Sequence, residues 1–195
     1  MKAFKDYNDV KEFTESVKLP AGAYEITLKR AEDTDKAICL LFDISAGDFA
    51  GYFMEKFASD KKNYPDNAKY KGVMRLWYPG GNDTAESAEI KKRRNKTALE
   101  LIKRENKLSV DYSKEWDGAV MKGAKIGMIF QDKEYDYNGH HGYTAQPYGL
   151  ISLEALRDGK YTIPEPKRLK ASSASADYDD SFMDMTNADD DDLPF

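Results

Sequence analysis

The chain is short of the residues on which catalytic and metal chemistry usually rest. Among 195 residues there is one cysteine, Cys39, and there are two histidines, the adjacent His140 and His141. A single cysteine cannot build a disulfide framework. Its setting in the apolar run Ala37 to Phe42 predicts a buried, reduced thiol, and no base lies near it in sequence to activate it. Adjacent histidines at a turn point apart, and with no cysteine or third histidine to join them no metal site is expected. Pro79-Gly80-Gly81-Asn82 lacks the Lys-Ser/Thr pair of a phosphate-cradling loop. Acidic residues are abundant, yet no spacing singles out a nuclease metal pair. No catalytic constellation is expected, no metal and no cofactor, so the chain does not read as an enzyme.

Long apolar runs are missing too. Nothing approaches the roughly 20 apolar residues of a membrane-spanning helix. No secretory leader is recognisable, and Met1-Lys2-Ala3-Phe4 leads directly into what reads as folded chain. The expectation is a soluble cytoplasmic protein with no membrane partner.

What is present is a core and an uneven distribution of charge. A hydrophobic fraction of 41 %, with 12 % aromatic, suffices for one domain. The formal net charge is −5, from 30 basic and 35 acidic residues, but eight of the aspartates fall between Ala171 and Phe195, where there is no Lys or Arg. Residues 1–170 therefore hold 30 basic against 27 acidic residues, a net of +3. A mildly basic body joined to an acidic tail suits a body that meets a polyanion. Ala171 to Ala188 is a run of Ser, Ala, Asp, Met and Asn without apolar periodicity. It cannot bury enough surface to offset its ordering entropy, which predicts a disordered tether. The expected division is a nucleic-acid-binding domain over 1–170 and an acidic tail over 171–195.

Along the body, Asn8 to Val17 reads as a short helix with Val10, Phe13 and Val17 on one face. Tyr24, Ile26 and Leu28 alternate with polar residues as a half-buried strand. Ile38 to Ile44 is apolar at nearly every position, which predicts a central strand. After the Gly47-Asp48 turn, Tyr52 to Phe57 reads as a third strand, with Tyr52, Met54 and Lys56 on one face and Phe53 and Phe57 on the other. Ser59 to Gly72 reads as a polar excursion at the edge of a barrel. Val73 to Tyr78 returns as a strand, placing Arg75 and Trp77 opposite Met74, Leu76 and Tyr78. Asp83 to Lys107 is the one long helix, with a capping-box-like start at Asp83 and Glu86. Its apolar side is expected to gather Ile90, Thr97, Ala98, Leu101 and Leu108, with Arg94 at odds with the stripe. Lys125 to Tyr137 carries Ile126, Met128 and Phe130 on one face, Asn138-Gly139 signals a tight turn, and Gly142 to Ile151 runs back. Ser152 caps a short helix through Arg157, with Gly159 past its end. A mainly β protein follows: an OB-fold-like antiparallel Greek-key barrel with one long helix.

The chain closes on Asp189-Asp190-Asp191-Asp192-Leu193-Pro194-Phe195. Pro194 restricts the backbone and lowers the entropy lost on docking. Phe195 carries a ring and the α-carboxylate, which a pocket with an apolar floor and a cation at its lip would hold together. Burying the ring contributes about 2–3 kcal/mol, while the four aspartates add steering and salt sensitivity. An acidic run by itself reads as a solubilising tail; the terminal Leu-Pro-Phe favours a partner-binding tip. This ending resembles the C-terminal tip of bacterial single-stranded DNA-binding proteins, in which acidic residues precede Ile-Pro-Phe. The resemblance implies recruitment of replication and recombination proteins through the tip.

The body resembles small proteins of phages and conjugative elements of Gram-positive bacteria. The matching stretches are Leu19-Pro-Ala-Gly-Ala-Tyr24, Phe42-Asp43-Ile44, Lys71-Gly72-Val-Met-Arg75-Leu and Tyr161-Thr-Ile-Pro164. The similarity covers most of residues 1–170, and its motifs are structural; taken with the tip, the expected setting is the replication, recombination or repair of phage or mobile-element DNA. The N-terminal motif of the housekeeping bacterial binding protein is missing, so its oligomeric state and DNA path are not carried over, and homo-oligomerisation stays open.

A sequence-tolerant surface for single strands needs rings on which bases stack and cations that track phosphates. Thirteen Tyr, nine Phe and two Trp are too many for every ring to be core in a body this size. Rings sharing a face with a cation are the first candidates: Tyr52 with Lys56, and Trp77 with Arg75. Lys61, Lys62 and Lys71 add cations on the excursion. Lys92, Arg93 and Lys96 form a basic cluster on the long helix, whose alternative reading is a solvated face balanced by Glu86, Glu89 and Glu100. Tyr135, Tyr137 and Tyr143 are read as a hairpin clamp, with cross-strand packing as the alternative. Non-specific single-stranded DNA binding is the function these features favour. The alternatives are an interaction protein whose tail mimics the bacterial tip, and a strand-annealing recombinase.

Overall fold

The alternation around Tyr24 does become a strand. In the computed structural model, which describes residues 17–137 and 139–169, β1 runs Gly22–Asp33 with Ile26 and Leu28 fully buried. β2 (Ala37–Ile44) is buried along its whole length. Then come α1 (Tyr52–Asn63), β3 (Val73–Trp77), α2 (Ala85–Asn106), a 3-10 turn at Gly118–Met121, β4 (Lys125–Tyr137), β5 (His140–Ile151) and α3 (Leu153–Arg157). The protein is mainly β, one antiparallel sheet in the order β3-β2-β1-β4-β5. The first four strands follow the Greek-key order, because β4 returns by the long α2 connection to lie beside β1. The sheet is open: β3 and β5 are its edges and the expected barrel does not close. β2 is a central strand, as expected, paired with β1 on one side and β3 on the other, and β1 is the middle strand of the five.

One face of the sheet makes the core. Ile38, Leu40 and Phe42 of β2 meet Leu76 of β3, Leu28 of β1, and Ile126, Met128 and Phe130 of β4. Phe42 packs edge-on to Phe53 of α1 at 5.3 Å, and Phe53 stacks on Phe130 at 6.1 Å. Ala98, Leu99 and Ile102 of α2 are buried in the same cluster. Among the described residues no helix is long and apolar enough to cross a membrane.

Three expectations need correction. Tyr52 to Phe57 is the start of a helix, not a strand. Gly51 turns into it at φ 78°, and buried Asp43, at the end of β2, accepts hydrogen bonds from the backbone N–H of Phe53 (3.1 Å) and Met54 (3.1 Å). A carboxylate satisfying the free N–H groups of a first turn is a helix cap, supplied here from another element. The supposed excursion is consequently the rest of α1 followed by the crossing to β3. The long helix is capped by Thr84, whose hydroxyl accepts from Ser87 N, rather than by Asp83. Its buried stripe is rotated from the expected one: Leu99 and Ile102 face the core, while Ile90, Arg94 and Thr97 are exposed. Ser152 caps α3, its hydroxyl accepting from Ala155 N, and Gly159 lies past the helix end at φ 67°, as expected.

The helix expected over Asn8 to Val17 lies outside the described residues except for Val17, which is exposed. The tail, including Asp189, Asp190, Asp191, Asp192, Leu193, Pro194 and Phe195, lies outside them as well.

Candidate nucleic-acid interface

The pleat of β3 sends Met74 and Leu76 toward the core and Arg75 and Trp77 to the opposite face, as the alternation predicted. The Arg75 guanidinium lies 6.0 Å from the Trp77 ring centroid, within cation–π range. Trp77 stays 37 % exposed, so part of the indole is open to solvent. Among the described residues β3 is an edge strand, with β2 as its one neighbour in the sheet.

The basic cluster of α2 is brought to this edge by a side-chain bond. Asn95 Nδ2 donates to the Trp77 carbonyl at 2.9 Å. Asp83 anchors the start of the helix, accepting from Gly80 N, Ser87 Oγ and Lys91 Nζ; Lys91 and these bonds hold its carboxyl below the usual range. Lys92, Arg93 and Lys96 lie exposed on the half of α2 that buries no residue fully, and Arg93 also pairs with Glu89 at 3.2 Å.

Cations continue to the other end of β3. Lys71 is exposed just before the strand begins. Its neighbour Tyr70 packs edge-on to Phe57 at 5.8 Å, and Lys61 Nζ lies 5.8 Å from the same Phe57 ring, with Lys62 beside it. Lys61, Lys71, Arg75 and the α2 cluster thus follow one edge of the sheet, with Trp77 among them.

Tyr52 and Lys56 do pair, with Nζ 5.6 Å from the ring centroid. Yet the ring packs edge-on to Phe49 and Phe53, and the hydroxyl accepts from Leu19 N at 3.3 Å. These neighbours tie the half-buried ring into the packing around the first turn of α1.

The three hairpin tyrosines do not form one clamp. Tyr135 and Tyr137 share a face with Lys133, whereas Tyr143, paired with Glu134, sits on the other face among Asp132, Glu134 and Asp136. The hairpin is therefore cationic and aromatic on one side and acidic on the other. The Tyr135 ring lies across Gly142, where an added Cβ would come within 2.8 Å of the hydroxyl oxygen. Tyr137 is 70 % exposed. His140 pairs with Tyr137 and His141 with Asp136, on opposite faces; His141 Nδ1 lies 3.4 Å from Asp136. Among the described residues no group of three His, Cys, Asp or Glu is placed to hold a metal ion.

This hairpin stands apart from the β3 edge. Arg75 pairs with Cys39, which pairs with Glu32 near the end of β1; Tyr135 lies five residues past Phe130, which pairs with Gly22 at its start. The candidate residues therefore divide into two groups at opposite ends of β1.

Titratable groups near the edge are set against covalent chemistry. Burial pushes the Cys39 thiol up, with Arg75 pulling the other way. Burial and the 2.8 Å bond to Asp33 push the Tyr78 hydroxyl up to about 12. Both stay protonated at neutral pH.

Sequence reasoning missed Asn95, since nothing local marks an asparagine that bonds a distant carbonyl. It also missed Tyr148, 58 % exposed at a register shift of β5. Pro147 and Gly149 on either side were a readable signal, because both residues favour bulges in strands. No known protein family matches the chain, and no curated protein matches it.

Proposed function

We propose that the chain binds single-stranded DNA without sequence preference, in phage or mobile-element replication or recombination, and that its acidic C-terminal tip recruits partner proteins. The observation that carries the reading is the exposed Trp77 indole under the Arg75 guanidinium, with the Lys92, Arg93 and Lys96 helix tied to its carbonyl. A ring for a base beside cations for phosphates is the minimum that sequence-tolerant strand binding needs. Strand order supports an OB-type ancestry: pairing β3 with β5 would complete a five-stranded Greek-key barrel, and α2 already touches both edges. The assignment of Tyr137 to a second contact is part of the same proposal.

The test is a fluorescence titration with oligo-dT at low salt. Binding should weaken steeply with salt, and Trp77→Ala should cost about 1–3 kcal/mol. Arg75→Ala and Lys92→Ala should each flatten the log-affinity salt slope by about 0.7. Failure of the protein to bind oligo-dT at low salt would overturn the reading and favour an interaction protein.

A further inference from the structure

The face of the sheet opposite the core carries two cations on its middle strand. A register shift in β1 between Leu28 and Arg30 adds one residue to the strand. Lys29 and Arg30 therefore both lie between Leu28 and Ala31, which face the core. Lys29 is exposed and Arg30 half-buried, and neither belongs to the core. The register sets their neighbours on the outer face. Arg30 pairs with Leu41 and Leu41 with Val73, while Glu32 pairs with Cys39 and Cys39 with Arg75. Arg30 and Arg75 thus stand on either side of β2, diagonally across Cys39 and Leu41. Both of those residues are buried and uncharged, so nothing on β2 between the two guanidinium groups repels an anion. Arg30 also keeps a donor unused. Glu32 pairs with its Nη2, but its buried Nε has no hydrogen-bond partner among the described residues. Buried donors are ordinarily satisfied, so this face lacks an acceptor.

We propose, resting on the DNA-binding reading, that the single strand crosses the outer face rather than following the β3 edge toward Lys61. It runs from the α2 cations over Trp77 and Arg75, then across β2 to phosphate contacts at Arg30 and Lys29. Two strand spacings and two residues along the strand separate Arg75 from Arg30, roughly 12 Å between their Cα atoms. So short a crossing fits within the about 4–16 nucleotides that one such domain covers. Glu32 holds Arg30 over the face and offsets part of its charge, which leaves Lys29 as the more exposed of the two contacts.

The salt dependence of oligo-dT binding by the full chain tests the path. Lys29→Ala and Arg30→Ala should each flatten the log-affinity slope by about 0.7, and the double variant should flatten it by the sum. Arg30→Lys keeps the charge and should keep the slope. Lys61→Ala and Lys62→Ala, off the proposed path, should leave it unchanged. Glu32→Gln should tighten binding about two- to fivefold, the size of one exposed charge pair; an Arg30 that served only to pair with Glu32 would instead give a lower urea midpoint and unchanged binding. Lys29 is exposed, so its variant reports on the path even where Arg30→Ala unfolds the chain. A native chain that binds oligo-dT, with the slope untouched by Lys29→Ala and Arg30→Ala or flattened by Lys61→Ala instead, overturns the crossing and leaves the binding reading standing. A native chain that binds no oligo-dT overturns both.

Discussion

Asp43 shows how much of this fold hangs on single polar side chains. Its carboxylate accepts from Ile44 N at 2.9 Å as well as from Phe53 N and Met54 N, all in a setting only 3 % exposed. Asp43→Ala leaves those donors buried and unpaired, so the expected loss is about 2–4 kcal/mol in a urea melt. Asp43→Asn keeps one acceptor oxygen and should lose less; an Asp43→Ala variant as stable as the native chain would mean that the cap contributes nothing. Glu25 makes a pH-dependent case. Lys125, at 2.9 Å, and Ser45 hold its carboxyl below the ordinary value of 4.5, against the opposing effect of partial burial. A lowered folded-state pKa means stability present above the ordinary value and lost as pH falls through the folded one. Glu25→Gln should therefore be less stable than the native chain at pH 7, and the gap should narrow at pH 3. A gap independent of pH would remove the carboxylate from the account.

At the scale of elements, α1 explains where reading the sequence succeeds and where it fails. Tyr52 with Lys56 and Phe53 with Phe57 are each four residues apart, and a spacing of four keeps a pair on one face in a strand and in a helix alike. The faces of those two pairs therefore survive while the element type is wrong, but Met54, expected beside Tyr52 and Lys56, lies with Phe57, Ala58 and Lys61 instead. What decides for helix is Asp43, nine residues before Tyr52 and on another element. β1, β2, β4 and the β4–β5 hairpin are legible because alternation and Asn138-Gly139 act locally. The pairing of Arg75 with Trp77 is legible for the same reason, and so are the exposed cations of α2. The position of α2 is not, because the Asn95 bond to Trp77 is a tertiary contact. That bond gives a prediction. Asn95→Ala should speed amide exchange across residues 85–97, where the helix has few buried side chains, and leave the half around Ile102 protected. Uniform exchange along α2 would show that core packing alone holds the whole helix.

For the whole molecule, the decisive feature is the separation of the two ring-bearing surfaces. Following the register from Arg75 through Cys39 and Glu32 along β1 to Gly22, and on from Phe130 to Tyr135, covers about 15 strand residues. At about 3.3 Å per residue that is roughly 50 Å along the strands, less what sheet twist removes. Two contacts so far apart share no partners, and their energies should add. On the proposed reading a short oligo-dT can reach only one of them, and the β3 edge with its cations is the stronger. Trp77→Ala should therefore weaken binding of both short and long oligonucleotides. Tyr137→Ala should leave short ones untouched and weaken only those long enough to bridge, by about 1–3 kcal/mol for a lost stacking contact. The double variant on the long oligonucleotide should lose the sum of the two. A Tyr137→Ala effect that does not depend on oligonucleotide length would mean that the strand meets the hairpin first, and the β3 edge would then lose its place as the primary contact. No effect at any length would confine the interface to Lys71, Arg75, Trp77 and α2, leaving the two-faced hairpin for a different partner.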